Sequence, residues 1–314
     1  MADQNDALMT SVARMYYLDG LGQSEVANIC GVSRSTVSRL LTTARERGIV
    51  RISVDEFDPR DRDLEARLVE RFGLRRAIVV REMGGTPAST RRAVGYFAAP
   101  VLAEWIGERR LVGLAGGRTL GELVHHIESR TRGTGSAFVQ LMGTIGSSPG
   151  RIDASELSRT LARRFQGTFL TLNAPAFAQS QRARDLFLSH DEIRSIWSAF
   201  DALDLALVGV GSLDESAFLE RGVLTDETCA ELRAGGAVGE ICGRFFDERG
   251  RECPSGLRDR VVSIGLDALR ACGDVAAVVS GPSRTNALRA AIRGGIVTSV
   301  VIDQVGAHGL LGAG

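Results

Sequence analysis

From Leu64 onward the chain alternates short apolar, β-branched runs with helical stretches. The runs are AIVV (77–80), LVGLAGG (111–117), AFVQLMGTIG (137–146), TFLTLNAPA (168–176), DLALVGVG (204–211), VAAVVSG (275–281) and VTSVVID (297–303). LEARLVERF opens the series and ends at Gly73; later helical stretches are Ser89–Glu108, Leu120–Ser129, Ala154–Phe165 and Thr285–Arg293. A strand with one wet face alternates apolar with polar residues. These runs do not, so both faces must be covered, as in a parallel sheet flanked by helices. The pattern predicts an α/β fold built on a doubly wound parallel sheet.

Four of the runs end in glycine-rich turns: Gly116-Gly117-Arg118-Thr119, Gly143 to Ser148, Gly209-Val210-Gly211-Ser212, and Ser280 to Arg284. In an open α/β sheet, ligands bind beyond the carboxyl ends of strands, where glycine lets the backbone approach closely. Small or hydroxyl residues ahead of a helix leave N–H groups free for an anion. A single such turn is explained by strand-to-helix packing. Four in one sheet, two of them carrying Arg118 and Arg284, point to a pocket for a small phosphorylated or hydroxyl-rich molecule. Position 214 is Asp, so Gly209-x-Gly211 lacks a third glycine and a nicotinamide cofactor is not expected.

The segment before Leu64 is of another kind. Gln23–Ala44 reads as two short helices joined by a tight turn. Ala27, Gly31, Val37 and Leu40 stand at the spacing of a helix-turn-helix, with Gly31 free to take a positive φ at the turn. Ile29, Val32, Val37, Leu40 and Leu41 are expected to form the inner face, with Ser33 as the N-cap of the second helix. Arg34, Ser35, Ser38, Arg39 and Thr42 then fall on the outer face, and Ser33 and Thr36 lie at the end that meets a DNA groove. An earlier helix over Asp6–Leu18 would close the small core. Ile49–Val54 alternates like a strand and predicts a wing, with Arg51 near the phosphates. Five arginines (34, 39, 45, 47 and 51) against the single acid Glu46 give this stretch the local charge of a phosphate-binding surface. The expected organisation is a (winged) helix-turn-helix domain over 1–54, a charged linker over 55–63, and an effector domain over 64–314.

Composition removes several alternatives. The 314 residues carry no net charge, so affinity for nucleic acid must come from a local patch. All 38 basic side chains are arginine. No lysine imine and no P-loop lysine is therefore possible, and an anion site must use Arg forks, backbone N–H groups and helix N-termini. The five cysteines are scattered without a C-x-x-C pair, which predicts reduced thiols and no metal site. The N-terminus lacks a basic-then-apolar leader, and the longest uncharged run, Gly133–Gly150, is too rich in Gly and Ser to span a membrane. A cytoplasmic protein is expected.

The segments GVSRSTVSRLLTTARERGIVRISV (31–54), GLAGGRTL (113–120), QLMGTIG (140–146), LNAPAF (172–177), DLALVGVG (204–211), GAVGEICGRFFDERG (236–250) and ALRAAIRGGIVTSVVIDQVGAHGLL (287–311) together resemble the SorC/DeoR type of bacterial sugar-binding transcriptional regulators. The resemblance covers nearly the whole chain. It implies an effector domain similar to glucosamine-phosphate isomerase/deaminase folds, a sugar or sugar-phosphate inducer, and homodimers or homotetramers on double-stranded palindromic operators. Carried onto this chain, it implies that Gly116, Gly117, Arg118 and Thr119, with Gly143, Thr144 and Ser147, hold the phosphate end. Gly209, Gly211 and Ser212 would border the sugar, with Arg244 and Asp247 reaching in from GRFFDERG. Arg284 stands where the family commonly has lysine. It keeps the charge and can fork onto a phosphate, but it cannot form an imine.

Two function classes follow: a ligand-responsive transcription factor, contacting DNA through Ser33, Arg34, Ser35, Thr36, Ser38, Arg39, Arg45 and Arg51, and a sugar-phosphate isomerase or deaminase carrying a DNA-binding domain. The enzyme reading needs a placed acid/base pair, commonly His with a carboxylate. His125, His126, His190 and His308 all lie away from the glycine turns, so no catalytic residue is expected. A purely DNA-organising protein would have no use for the glycine-edged pocket.

Overall fold

The computed structural model describes residues 2–53, 55, 57–129, 135–146, 150–214 and 217–312. Two compact units divide between Phe57 and Asp58. The first holds α1 (Ala2–Tyr17), α2 (Gln23–Cys30) and α3 (Arg34–Glu46). Its core is small: Met9, Val12, Ala13, Val26, Ala27, Val37, Leu41 and Ala44. Gly31 ends α2 at φ +66°, the left-handed region that a side chain at this turn would resist. Ser33 caps α3, its hydroxyl accepting from the Thr36 N–H at 3.1 Å.

Two expectations for this unit are corrected. Ile29 is 62% exposed, and Val26 takes the inner position in its place. On a short helix Val26, Ala27 and Cys30 lie on one side, and Ile29 falls roughly 100° round from them. Nor do residues 49–53 form a wing strand. The Val50 N–H turns back to the Ala44 carbonyl after Gly48, and Arg51, Ile52 and Ser53 are exposed with no strand beside them. A wing needs a paired hairpin, and alternation alone does not supply the partner. Val54 lies outside the described residues.

The second unit begins with a strap over Asp58–Asp61 and then runs α4 (Arg62–Phe72), β1 (Arg76–Val80), α5 (Pro87–Gly107), β2 (Leu111–Leu114), α6 (Arg118–His126), β3 (Ala137–Gln140), α7 (Ala154–Arg164), β4 (Thr168–Leu170), α8 (Gln181–Ser189), α9 (Asp191–Ala199) and β5 (Leu205–Val208). It continues through α10 (Ala217–Glu220), α11 (Asp226–Ala234), β6 (Gly239–Ile241), β7 (Arg244–Phe246), α12 (Leu266–Ala271), β8 (Val275–Val278), α13 (Thr285–Arg293), β9 (Ser299–Asp303) and α14 (Gln304–Gly312). All seven apolar runs enter one parallel sheet of order β1-β9-β8-β5-β2-β3-β4. β5, β8 and β9 are buried along their whole length, as strands covered on both faces must be.

The strap corrects the expected linker over 55–63. The Asp61 N–H donates to the Val79 carbonyl and the Arg81 N–H to Pro59, each at 2.8 Å, and Asp61 caps α4. Residues 58–63 therefore belong to the second unit. The β6–β7 hairpin, separate from the main sheet, was not expected: strands of three residues are too short to show a period. Among the described residues no helix is long and apolar enough to cross a membrane.

Candidate recognition helix and effector site

On α3 the packing decides which side chains are presented. Val37, Leu41 and Ala44 are buried, and Arg34, Ser35, Ser38, Arg39, Thr42 and Arg45 are exposed on the remaining face. Thr36 is half-buried, and its hydroxyl meets that of Ser33 at 2.8 Å. Ser35 bonds the same Ser33 hydroxyl at 2.8 Å, so the three hydroxyls form one capping cluster. Arg47 is ion-paired with Asp6, tying α3 to α1, and its guanidinium holds the Asp6 carboxyl below the usual range.

In the second unit the chain leaves β2 toward β3 and β4 on one side, and leaves β5 toward β8 and β9 on the other. The carboxyl ends of β2 and β5 thus diverge, and a crevice opens where an α/β sheet binds ligands. The turn after β2 (Gly116–Thr119) and the turn after β5 (Gly209–Gly211) face each other there. A Cβ on Gly209 would lie 3.6 Å from the Gly116 carbonyl oxygen. Both turns line one cavity of about 110 Å³, together with Arg91, Asp153, Arg221, Glu240, Cys242 and Arg284. α6 starts at this cavity with no side-chain cap, which leaves its first-turn N–H groups available to an anion.

The hairpin supplies a buried acid to the cavity. Glu240 exchanges two backbone hydrogen bonds of 3.0 Å with Gly211, and its carboxylate accepts from the Gly243 N–H at 3.0 Å. A Cβ at Gly211 would come within 2.3 Å of a Glu240 carboxylate oxygen, so a side chain at position 211 would displace the Glu240 carboxylate from this place. Burial pushes the Glu240 carboxyl up to about 7, against the Gly243 hydrogen bond and the Arg284 charge. Beside it Cys242 holds a left-handed backbone, φ +53°, and burial and the Glu240 charge raise its thiol above the ordinary range. Arg221 pairs with Asp153 at 2.5 Å, Arg118 with Glu220 at 3.0 Å, and Arg284 donates to the Ser280 carbonyl at 3.0 Å.

The cavity gathers Gly116, Gly117, Arg118, Thr119, Gly209, Gly211 and Arg284 among the residues expected from sequence. Others lie elsewhere. Thr144 lines a neighbouring depression with Asn173 and Pro175. Gly143 serves packing, since a Cβ there would come within 2.5 Å of the Pro175 carbonyl oxygen. Ser212 is buried beside the β5 turn with no hydrogen-bond partner for its hydroxyl. Ser147 lies outside the described residues. Arg244 and Asp247 are corrections. The hairpin register pairs Glu240 with Phe245 and Ile241 with Arg244, and directly opposed residues share a face. Arg244 therefore points away from Glu240, bonded to Glu252 at 3.0 Å and to Ser263. Asp247 closes the following turn, accepting from the Arg249 and Arg251 N–H groups and pairing with the Arg251 side chain.

Sequence reasoning passed over Arg91, Asp153, Arg221, Glu240 and Cys242. The segment 236–250 did single out the hairpin, but only the register says which side chains face the cavity. No histidine lines it. His125 and His126 meet edge to face, as do His126 and Tyr96, at the far end of α6.

Comparison with known proteins agrees with this division. Residues 59–312 match the Sugar-bind family of sugar-binding domains, and residues 9–47 match region 4 of sigma-70 factors. The transcriptional regulator YjhU of Escherichia coli K12 is 32% identical, over 98% of this chain and 95% of its own. The deoxyribonucleoside regulator of Bacillus subtilis is 29% identical over 99% of both. The crystal structure of the full-length sorbitol operon regulator SorC of Klebsiella pneumoniae superposes with a TM-score of 0.77 at 26% identity, covering 97% of this chain and 98% of that one. With a helix-turn-helix unit ahead of a seven-stranded sugar-binding domain, the chain belongs to the SorC family of sugar-binding, DNA-binding transcriptional regulators.

Proposed function

We propose that this regulator binds a sugar or sugar phosphate in the cavity between β2 and β5, and that occupancy changes its grip on operator DNA. The observation that carries the reading is the convergence of two glycine turns, an uncapped helix start, Arg118, Arg221, Arg284 and Glu240 on one cavity at the sheet's switch point. The N–H groups of α6 and the arginines suit a phosphate. Glu240 suits sugar hydroxyls: as a carboxylate it accepts, and when protonated it donates. At about 110 Å³ the cavity is smaller than the roughly 300–1,000 Å³ usual for small-molecule sites, so a whole sugar phosphate must widen it. That widening is the origin of the response in this reading. The outer face of α3, from Ser33 to Arg45, would read the operator, with Arg51 following it onto the phosphates. Paired recognition helices require a homodimer or homotetramer, placed in the cytoplasm with its DNA.

Titrating the purified protein onto DNA from upstream of its gene, with a panel of sugars and sugar phosphates at two salt concentrations, tests the reading. One compound that shifts affinity, with the shift lost in Arg284→Ala and free-protein DNA binding retained, supports it. An effector titration unchanged by Arg284→Ala rejects the site.

One observation favours a second reading. A buried carboxyl poised at about 7 in a cavity is what general acid/base catalysis uses. Glu240 stands there without a histidine or lysine to share the work, and on that ground binding without turnover is the better reading. Turnover of a sugar phosphate by the parent protein, abolished in Glu240→Gln, would reverse the order.

A further inference from the structure

The stretch that follows the recognition helix pairs with nothing in its own chain. Among the described residues no backbone N–H or C=O from Arg51 to Phe57 enters a backbone hydrogen bond. Ile52 is 61% and Phe57 63% exposed, and Arg51, Ser53 and Asp55 stand in solvent with them. Ile49, Val50 and Ile52 nevertheless give the stretch the β-branched composition of a strand. A strand without a neighbour offers a row of donors and acceptors to another chain.

The order of residues about Ser53 says which chain fits. Turned end for end against itself, with Ser53 opposite Ser53, the stretch sets Arg51 opposite Asp55 twice and Ile49 opposite Phe57 at each end. These alternate positions share one face of such a ribbon. Directly opposed side chains interact there, and opposite charges stabilise the pair. A parallel alignment in register would instead set Arg51 against Arg51 and Asp55 against Asp55. Among the described residues of its own chain, neither Arg51 nor Asp55 has an ion-pair partner. A self-complementary contact of this kind is completed by two copies about a two-fold axis.

We propose that Ile49, Arg51, Ser53, Asp55 and Phe57 form an interaction surface for a second copy of this chain, as an antiparallel ribbon centred on Ser53. The second copy is that of the homodimer proposed above, and the inference rests on that reading. A two-stranded ribbon is marginal alone, so this one adds to whatever else holds the dimer. Its place gives it a use: α3 ends at Glu46, a few residues before it, so the ribbon fixes how far apart the paired recognition helices stand. Arg51 can serve the partner's Asp55 and a DNA phosphate together, through different N–H groups of its guanidinium.

Site-specific disulfides on the full chain test this, in a Cys30→Ser background that leaves only buried native thiols. Ser53→Cys places two thiols directly opposite each other, inside the roughly 7 Å Cα separation that a disulfide tolerates. We expect oxidation by copper phenanthroline to link most of these chains into covalent dimers. Phe57→Cys, at another exposed position, puts its thiols about 27 Å apart in this register and should link at least about tenfold less. Asp55→Arg sets like charges opposite each other and should slow linking through Ser53→Cys by about threefold or more. Adding Arg51→Asp reverses the pair and should restore the rate. Ser53→Cys chains that stay single, equal linking from Ser53→Cys and Phe57→Cys, or a slowing that the reversal does not relieve overturns the ribbon. Light scattering on the untreated parent separates the two readings: a dimer without linking loses this surface alone, and a monomer loses the homodimer with it.

Discussion

The two units solve recognition in opposite ways. In the first, the candidate DNA contacts are exposed side chains of one helix, with a core of eight buried residues beneath them among the described ones. In the second, the candidate site is made of backbone turns and charged groups drawn from segments as far apart as Arg91 and Arg284, and its Glu240 is buried. A surface reader can lose a contact without losing its fold. A pocket assembled from buried charge ties ligand recognition to stability, because the groups that would hold the ligand are the same ones the fold must tolerate empty.

Four substitutions would break or sharpen that contrast. The largest effect is expected from Val37→Asp, which sets a charge in the small core at a fully buried position. At more than about 4 kcal/mol it should unfold the first unit and abolish operator binding. Calorimetry should show the second unit's transition unmoved; a shift there would mean that the units do not fold separately.

Next is Glu240→Gln. The Glu240 carboxyl lies at about 7 in the folded protein against 4.5 unperturbed, so the folded state keeps a proton that the unfolded chain releases. Its stabilising contribution is complete below pH 4.5 and is lost as pH rises through 7. The glutamine variant should therefore be more stable than the parent by about 3 kcal/mol at pH 8, with no advantage below pH 4.5. Denaturant midpoints measured across that range check it, and an advantage independent of pH would remove the buried-charge account.

Arg34→Ala should weaken operator binding by about 1–3 kcal/mol if it reads a base edge, with the melting temperature unchanged. A binding isotherm equal to the parent's would remove α3 from the interface. Smallest is Gly31→Ala. No atom lies within 4 Å of the added Cβ, so only the left-handed backbone resists, at about 1 kcal/mol. A thermal melt shows this as a modest loss confined to the first unit.

The same contrast explains what could be read from the chain. The apolar runs were legible as the strands of the main sheet because doubly buried strands such as β5, β8 and β9 carry their signal in every residue; β4, at the edge and only half-buried, is the weakest of them. The recognition helix was legible because its cap, its turn glycine and its inner and outer faces follow one local period. Ile29 misled because eight residues of helix give too little arc to separate two apolar neighbours. The wing failed for want of a partner strand, which no local pattern reveals. The two glycine turns and Arg284 were legible as turns. Glu240 was not, and Arg244 on the opposite face of the hairpin is its equal in the sequence, because the side of a three-residue hairpin that meets the cavity depends on a register fixed elsewhere. Arg91, Asp153 and Arg221 enter from helices and turns whose proximity exists only after the sheet has formed.

The strap over Asp58–Asp61 has a practical consequence for anyone cutting this protein in two. β1 is an edge strand, and the strap's antiparallel bridge from Arg60 to Val80 is what its outer side pairs with. An unpaired edge is an invitation to another chain's edge. A fragment begun at Leu64, where the amphipathic pattern first becomes visible, would strip that cover along with the Asp61 cap and should self-associate. One begun at Asp58 should stay dispersed.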